Sequence, residues 1–251
     1  LVSFTDASSQ NGAGSILSWS WNFDDPGSGL NNTSSLVNPT HIFTHGDSTY
    51  NVRLIIVSFN NCSDTVIKPV YIHPKPPVDF THDTACLNQY VHFDADMTVT
   101  QPDSITGWLW DFGDGTPPAT DPVTTSHQYD VVGVYSVTLT ITDIYGCTNF
   151  MTHTLEVNPL PVAAFTWVPP VCQNSPVQYT NQSYVSTIFT GYIVKWLWDF
   201  GDGTTQTVVL PASPNVSHTF AGAALSHIVR LTVWTNDSCT SYVEHIVISI
   251  P

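Results

Sequence analysis

Apolar and polar residues alternate along most of this chain, most cleanly where Tyr135, Val137, Leu139 and Ile141 are set between Ser136, Thr138 and Thr140. A period of two is what a half-buried antiparallel strand requires, since successive side chains point to opposite faces. Short runs rich in Val, Ile, Thr and aromatics are separated by Gly, Pro, Asn and Asp throughout. Helical periodicity is nearly absent, so the pattern predicts an all-β chain. In the middle of the chain it predicts strands at Val78–Thr81, Tyr90–Asp94, Thr106–Phe112 and Ser126–Tyr129. Val134–Thr142 and Cys147–Val157 then form a closing hairpin around Asp143-Ile144-Tyr145-Gly146. About seven such strands in some 85 residues indicate a β-sandwich.

One stretch occurs twice almost unchanged and once in worn form. It reads Trp108-Leu109-Trp110-Asp111-Phe112-Gly113-Asp114-Gly115, then Trp196-Leu197-Trp198-Asp199-Phe200-Gly201-Asp202-Gly203. The degenerate copy is Trp19-Ser20-Trp21-Asn22-Phe23-Asp24-Asp25-Pro26-Gly27. Aromatics at i, i+2 and i+4 of a strand share one face, and Gly-Asp-Gly ends that strand in a tight turn. The second tryptophans, Trp21, Trp110 and Trp198, recur at a period of roughly 88 residues, which suits a small autonomous domain rather than a solenoid unit. Tyr50-Asn51-Val52-Arg53-Leu54 and His227-Ile228-Val229-Arg230-Leu231 match Tyr135-Ser136-Val137-Thr138-Leu139 in the same order. Three domains follow: residues 1–73, 74–158 and 159–251, divided at His73-Pro74-Lys75-Pro76-Pro77 and Asn158-Pro159-Leu160-Pro161. Proline fixes φ and stiffens such linkers, so a rod of limited flexion is expected.

These residues resemble the PKD domain, the immunoglobulin-like repeat named after polycystic kidney disease protein. The resemblance covers essentially the whole chain in three copies, through Trp-x-Trp-Asp-Phe-Gly-Asp-Gly followed by Ser-His-x-Tyr/Phe and Tyr-x-Val-x-Leu. It implies three tandem immunoglobulin-like sandwiches. The first copy departs at Asn22 and Asp24-Asp25-Pro26-Gly27, so its turn is expected to differ, and the segment from Ser28 to Asn38 reads as an extended loop. Paired cysteines and a Gly-Cys or Asn-Cys hairpin are further similar to PKD arrays on large secreted surface proteins of Bacteroidota, including adhesins and filaments.

Apolar residues at 42% and aromatics at 12% supply packed cores. Five Lys and Arg against twenty Asp and Glu give a net charge of −15, a surface that repels nucleic acid and anionic lipid. No apolar run approaches the ~20 residues of a membrane span, and no basic-then-apolar leader opens the chain. It begins without methionine, which reads as a processed or partial chain.

The five cysteines distribute by repeat: Cys62 in the first, Cys86 and Cys147 in the second, Cys172 and Cys239 in the third. Cys62, Cys147 and Cys239 each begin the strand after the hairpin turn. Cys86 and Cys172 each precede Val91 and Val177 by five residues, and matching Val2 to those valines puts the first repeat's partner cysteine and opening strand before Leu1. Disulfides Cys86–Cys147 and Cys172–Cys239 are expected, with Cys62 unpaired, in an oxidising extracytoplasmic setting. The first sandwich is expected to show an open sheet edge and core, completed by a longer chain or by another subunit.

No nucleophile elbow, His-Glu-x-x-His, phosphate loop or dinucleotide fingerprint is present, so no enzyme and no catalytic residue is expected. His41, His127 and His218 hold one equivalent position per repeat and read as structural histidines bonding a nearby turn. Asp111, Asp114, Asp199 and Asp202 read as turn formers. No cofactor is expected; calcium is the alternative, since Asp24-Asp25, Asp111 and Asp114 offer hard oxygens, but no dense Asp-x-Asp-x-Asp loop collects them. Short Asp-Ser/Thr motifs at Ser48, Thr65, Thr84 and Ser104 resemble Bacteroidota O-glycosylation sites, and Trp167, beside Val168-Pro169-Pro170, is a candidate exposed aromatic contact. The expected role is a stalk or scaffold segment of an extracellular surface protein or filament, meeting other copies or domains of its assembly and possible glycans, without membrane insertion. The alternative is a polysaccharide- or collagen-binding accessory module of a secreted hydrolase.

Overall fold

The computed structural model describes residues 1–9, 14–96, 105–169, 171–186, 191–221 and 225–250. Repeat 1 contributes β1 (Val2–Ser3), β2 (Ile16–Asn22), β3 (Thr33–Ser34), β4 (Thr40–His41), β5 (Ser48–Ser58) and β6 (Ser63–Ile72). Repeat 2 contributes β7 (Phe80–His82), β8 (Ala85–Cys86), β9 (Tyr90–Ala95), β10 (Ile105–Asp111), β11 (Thr124–Gln128), β12 (Gly133–Asp143) and β13 (Thr148–Asn158). Repeat 3 contributes β14 (Phe165–Trp167), β15 (Val171–Cys172), β16 (Pro176–Asn181), β17 (Ile193–Asp199), β18 (Thr205–Val209), β19 (Val216–Thr219), β20 (Ser226–Thr235) and β21 (Thr240–Ile250).

Each repeat is a two-sheet sandwich. The larger sheets run β3-β2-β5-β6, β10-β12-β13-β8 and β18-β17-β20-β21-β15, and the smaller ones β1-β4, β11-β9-β7 and β14-β16-β19. The motif strand lies in the larger sheet and turns its aromatics inward. Trp110 and Phe112, and Trp196, Trp198 and Phe200, are buried, as are Trp21 and Phe23. Trp19 and Trp108 are half-buried. The smaller sheet supplies the opposing layer, where Phe80 meets Trp110 edge-on at 5.3 Å and Phe165 meets Trp198 at 5.2 Å. Such edge-to-face pairs set the positive ring edge against the negative face and add to the area buried.

The elements differ from the sequence pattern mainly where they are shortest. β8 and β15, two residues each, lie parallel to the last residues of β13 and β21. A two-residue element has no period to read. The segment expected as a loop from Ser28 to Asn38 holds part of a 3-10 stretch, Pro26–Asn32, and then β3, which pairs with β2 through Trp21 and Ser34.

The chain forms two compact units. One combines Leu1–Pro77 with Ile141–Asn149; the other holds Val78–Val99, Gly107–Thr140 and Phe150–Pro251. Within the first, the ring of His73 stacks on Tyr145 at 3.7 Å and Asn149 Nδ2 donates to the carbonyl of Pro76 at 2.9 Å. Repeat 1 has only β1 and β4 in its smaller sheet among the described residues. A cavity of about 540 Å³ opens there, lined by Trp21, Val52, Leu54, Ile56, Lys68 and Val70. In repeats 2 and 3 Phe80 and Phe165 pack on Trp110 and Trp198, the counterparts of Trp21.

Gly113 and Gly201 sit where β10 and β17 turn, with φ of 75° and 72°, and a Cβ on either would lie 2.5 Å from the carbonyl oxygen of Ser136 or Ile228. Gly201→Ala should therefore cost more than the ~1 kcal/mol of a positive-φ penalty alone. Urea denaturation would check this, and a change within 0.5 kcal/mol, the usual scatter of neutral surface substitutions, would contradict it. In repeat 1 the same position is Asp24, at φ 60°, whose carboxylate accepts the N–H of Asn51 at 3.0 Å.

Candidate functional site

The three equivalent histidines lie at corresponding places in the smaller sheets. Val2 faces His41, Val91 faces His127 and Val177 faces His218 across the strand pairs. Each imidazole then stacks on the last motif aromatic: His41 on Phe23 at 4.2 Å, His127 on Phe112 at 4.0 Å and His218 on Phe200 at 3.9 Å. Its Nε2–H donates to the aspartate of the turn, to Asp25 at 3.0 Å, Asp114 at 2.6 Å and Asp202 at 2.7 Å. A carboxylate can only accept, so this bond fixes the ring tautomer. Asp111 and Asp199 instead accept the N–H of Gly113 and Gly201, both at 3.0 Å. Asp-x-Gly forms the turn and the following Asp ties it to the opposite sheet.

Burial opposes ionisation of Asp114, but hydrogen bonds from Thr116, through Oγ1 at 2.6 Å and N at 3.0 Å, and from His127 outweigh it. The carboxyl is held below its ordinary value. Asp202 is held low by Thr204 and His218 against the same burial penalty, and Asp25 by Thr44 and His41. A lowered native pKa stabilises the fold above the unfolded-state value and loses that contribution as pH falls toward the native one. Stability should thus drop below about pH 4 as these carboxylates protonate, and Asp114→Asn should flatten that acid limb in urea midpoints measured against pH. An unaltered limb would contradict the assignment. His127→Ala removes one bond from a largely buried carboxylate and should cost about 1–3 kcal/mol at pH 7.

The cysteines are arranged differently from the expected pairing. Cys86 is bonded to Cys239 of the next repeat, with Cα atoms 5.6 Å apart, and not to Cys147; Cys172 is not bonded to Cys239. Strand direction is the reason. Cys86 lies opposite Asn158 at the end of β13, whereas Cys147 precedes its first residue. Eleven residues of extended chain separate the two ends by roughly 35 Å, far beyond disulfide reach. Cys172, opposite Ile250, and Cys239, before Thr240, are separated in the same way along β21. Cys62 and Cys172 carry exposed free thiols. Non-reducing peptide mapping should recover a Cys86–Cys239 cross-linked peptide; recovery of Cys86–Cys147 would refute the topology.

Trp167 is half-buried rather than a free platform, packed on Phe165 at 5.9 Å and His245 at 5.6 Å. Its own strand, β14, alternates in the way that buries it. Thr65 and Thr84 are exposed and Ser48 is half-buried at the start of β5; Ser104 lies outside the described residues. The carboxylates considered for calcium are engaged by protein donors: Asp25 by His41 and Thr44, Asp114 by Thr116 and His127. Among the described residues no group of three His, Cys, Asp or Glu gathers as a metal site, and no helix is long and apolar enough to cross a membrane. The cross-repeat bond escaped sequence reasoning, because equivalence between repeats does not give the direction of a two-residue strand.

A family model described as PKD domain matches residues 1–72 and 73–159, and another so described matches residues 163–246. A 75-residue stretch is 37% identical to a microbial collagenase of Vibrio alginolyticus, covering 30% of this chain and 9% of that protein. The chain therefore spans under a tenth of that relative's length. The PKD1 domain of Vibrio anguillarum Epp aligns at 24% identity with a TM-score of 0.31, over 38% of this chain and 99% of that one. Fibronectin(III)-like modules of Clostridium thermocellum CbhA align at 14% identity with a TM-score of 0.43, over 68% of this chain and 93% of theirs.

Proposed function

Because the chain belongs to the PKD domain family, matched over three successive spans, we propose that it is a structural segment of an extracellular surface protein or filament. In this reading it serves as a disulfide-stapled stalk or interaction scaffold. The observation that carries the reading is the Cys86–Cys239 bond, which joins two successive sandwiches instead of closing either one. Each of those sandwiches already has a packed aromatic core, so the bond restricts motion between repeats. Disulfides persist in oxidising compartments, which supports an extracytoplasmic site of action. The excess of carboxylates keeps such a segment soluble and repels anionic surfaces.

A structural segment of this kind should bear load along the covalent shortcut. Pulled by its termini, the oxidised chain carries force through Cys86–Cys239 and shields the 153-residue interval between them. Single-molecule extension should therefore lengthen by roughly 50 nm on reduction, at about 3.4 Å per residue. Equal extension in both states would remove the basis of the proposal.

The 37% identity to a stretch of a microbial collagenase favours a second reading, an accessory module that holds a hydrolase to collagen or polysaccharide. Co-sedimentation with collagen fibrils and insoluble glycans discriminates the two. The structural reading expects the whole chain to stay in the supernatant; saturable retention in the pellet would favour the accessory role.

A further inference from the structure

In the larger sheet of repeat 3, every second residue of β20 and β21 points away from the core, and these outward residues form one continuous face. Ser226 lies opposite Ile248, Ile228 opposite Ile246, Arg230 opposite Glu244 and Thr232 opposite Tyr242. Ile228, Tyr242, Ile246 and Ile248 are between 56% and 65% exposed. A single surface isoleucine needs no account, whereas three neighbouring ones beside a tyrosine make a patch of the kind that marks an interaction surface.

The other repeats show what the same positions hold when they face water. Arg230 and Glu244 correspond to Thr138 and Thr152, whose hydroxyls bond across β12 and β13 at 2.9 Å. One step along, Ile228 and Ile246 correspond to Ser136 and Thr154, and Ile248 corresponds to Glu156. Those three polar residues are exposed. In repeat 1 the pair at that level is Asn51 and Pro69. The fold therefore does not require apolar side chains there, and repeat 3 carries them for a reason outside its own core.

Charge selects the occupant. The face sets Lys195 and Arg230 against Asp199 and Glu244 and is neutral, in a chain of net charge −15. Two copies of such a chain repel through most of their surface and least through this face. Arg230 Nε donates to Glu244 Oε1 at 2.6 Å, yet the two side chains remain 49% and 39% exposed, so each can bond a second partner. A two-fold axis between β20 and β21, lying in the plane of contact, sets each strand of one copy on the other strand of its partner. Ile228 then meets Ile246, Arg230 meets Glu244 and Ser226 meets Ile248, with the sheets aligned as in a sandwich. The exposed parts of Ile228, Arg230, Tyr242, Glu244, Ile246 and Ile248 come to roughly 600 Å² per copy, so pairing buries about 1,200 Å², the lower bound of a specific interface. We infer that this face is the docking surface for a second copy of the chain, giving an isologous dimer held sheet to sheet through repeat 3. The inference deepens the scaffold reading above and rests on it.

The test uses sedimentation velocity on the full chain, with its exposed thiols alkylated so that no disulfide joins copies. Wild type should pass from monomer to dimer as the concentration rises toward millimolar. Ile228→Ser combined with Ile246→Thr, the residues repeat 2 carries, should weaken the dimer at least tenfold with an unchanged melting midpoint. Arg230→Glu alone and Glu244→Arg alone each set like charges across the axis and should stay monomeric. Their equal mixture should dimerise again, because both cross-axis contacts then join opposite charges. Should either charge variant fail to fold by circular dichroism, the serine–threonine variant decides. Wild type that stays monomeric, open assemblies in place of a dimer, an undiminished dimer in the serine–threonine variant, or a mixture of folded charge variants no better than its components would each overturn the inference. Reduction-dependent lengthening under force, if retained in that case, would leave the structural reading standing by itself.

Discussion

The length of a final strand constrains everything else about this chain's covalent chemistry. In repeats 2 and 3 the hairpin cysteine precedes the first residue of an eleven-residue strand, and the other cysteine lies opposite its last residue. An extended backbone cannot fold back within those residues without losing its ladder bonds, so the two thiols stay at opposite poles of their sandwich. Pairing within a repeat would require melting the strand that defines the fold. Pairing between repeats requires only that one repeat's far pole meet the next repeat's hairpin, as Cys86 and Cys239 do.

Against that covalent layer stands a second device that acts inside each sandwich. The ring of His127 lies flat on Phe112 at an interplanar angle of 2°, so its Nε2 can reach Asp114 only if the motif strand and the smaller sheet hold a set spacing. Repeats 1 and 3 satisfy the same geometry with His41 and His218. A charged acceptor strengthens the bond relative to a neutral pair, and near-complete burial at His41 and Asp25 protects it from water. The network therefore registers the two sheets, and its recurrence explains why the turn keeps aspartate even where its glycines are lost in repeat 1.

Much of this was legible in the sequence, and the limits have physical causes. Strand alternation and the Trp-x-Trp-x-Phe spacing identify the larger sheets, because side-chain direction follows directly from a period of two. The alignment of Val2, Val91 and Val177 carries through to the strand pairs opposite the three histidines. The histidine positions can be equated from the repeats alone, but their aspartate partners are thirteen to sixteen residues away and meet them only through the sandwich. β8 and β15 are too short to show any pattern, so whether they run parallel or antiparallel to the last strand could not be read. That single unknown direction decides which pole Cys86 occupies and hence which cysteine it can meet. Trp167 misleads for a related reason, since its proline-rich neighbours suggest exposure while Phe165 and His245 half-bury it.

Where a disulfide sits determines what it stabilises. Small secreted domains commonly use internal bridges to offset a core too small to hold them folded. Repeat 3 does not match that description, since Tyr179, Trp198, Phe200 and Phe220 are all almost fully buried in one cluster. A bridge to its neighbour constrains a long interval of the unfolded chain, which the chain-entropy model values at about 5 kcal/mol. It also restricts the relative motion that adjacent domains show by default when their interface is modest. The same bond thus ties two sandwiches together through two buried cysteines, Cys86 at the far pole of one and Cys239 at the hairpin of the next.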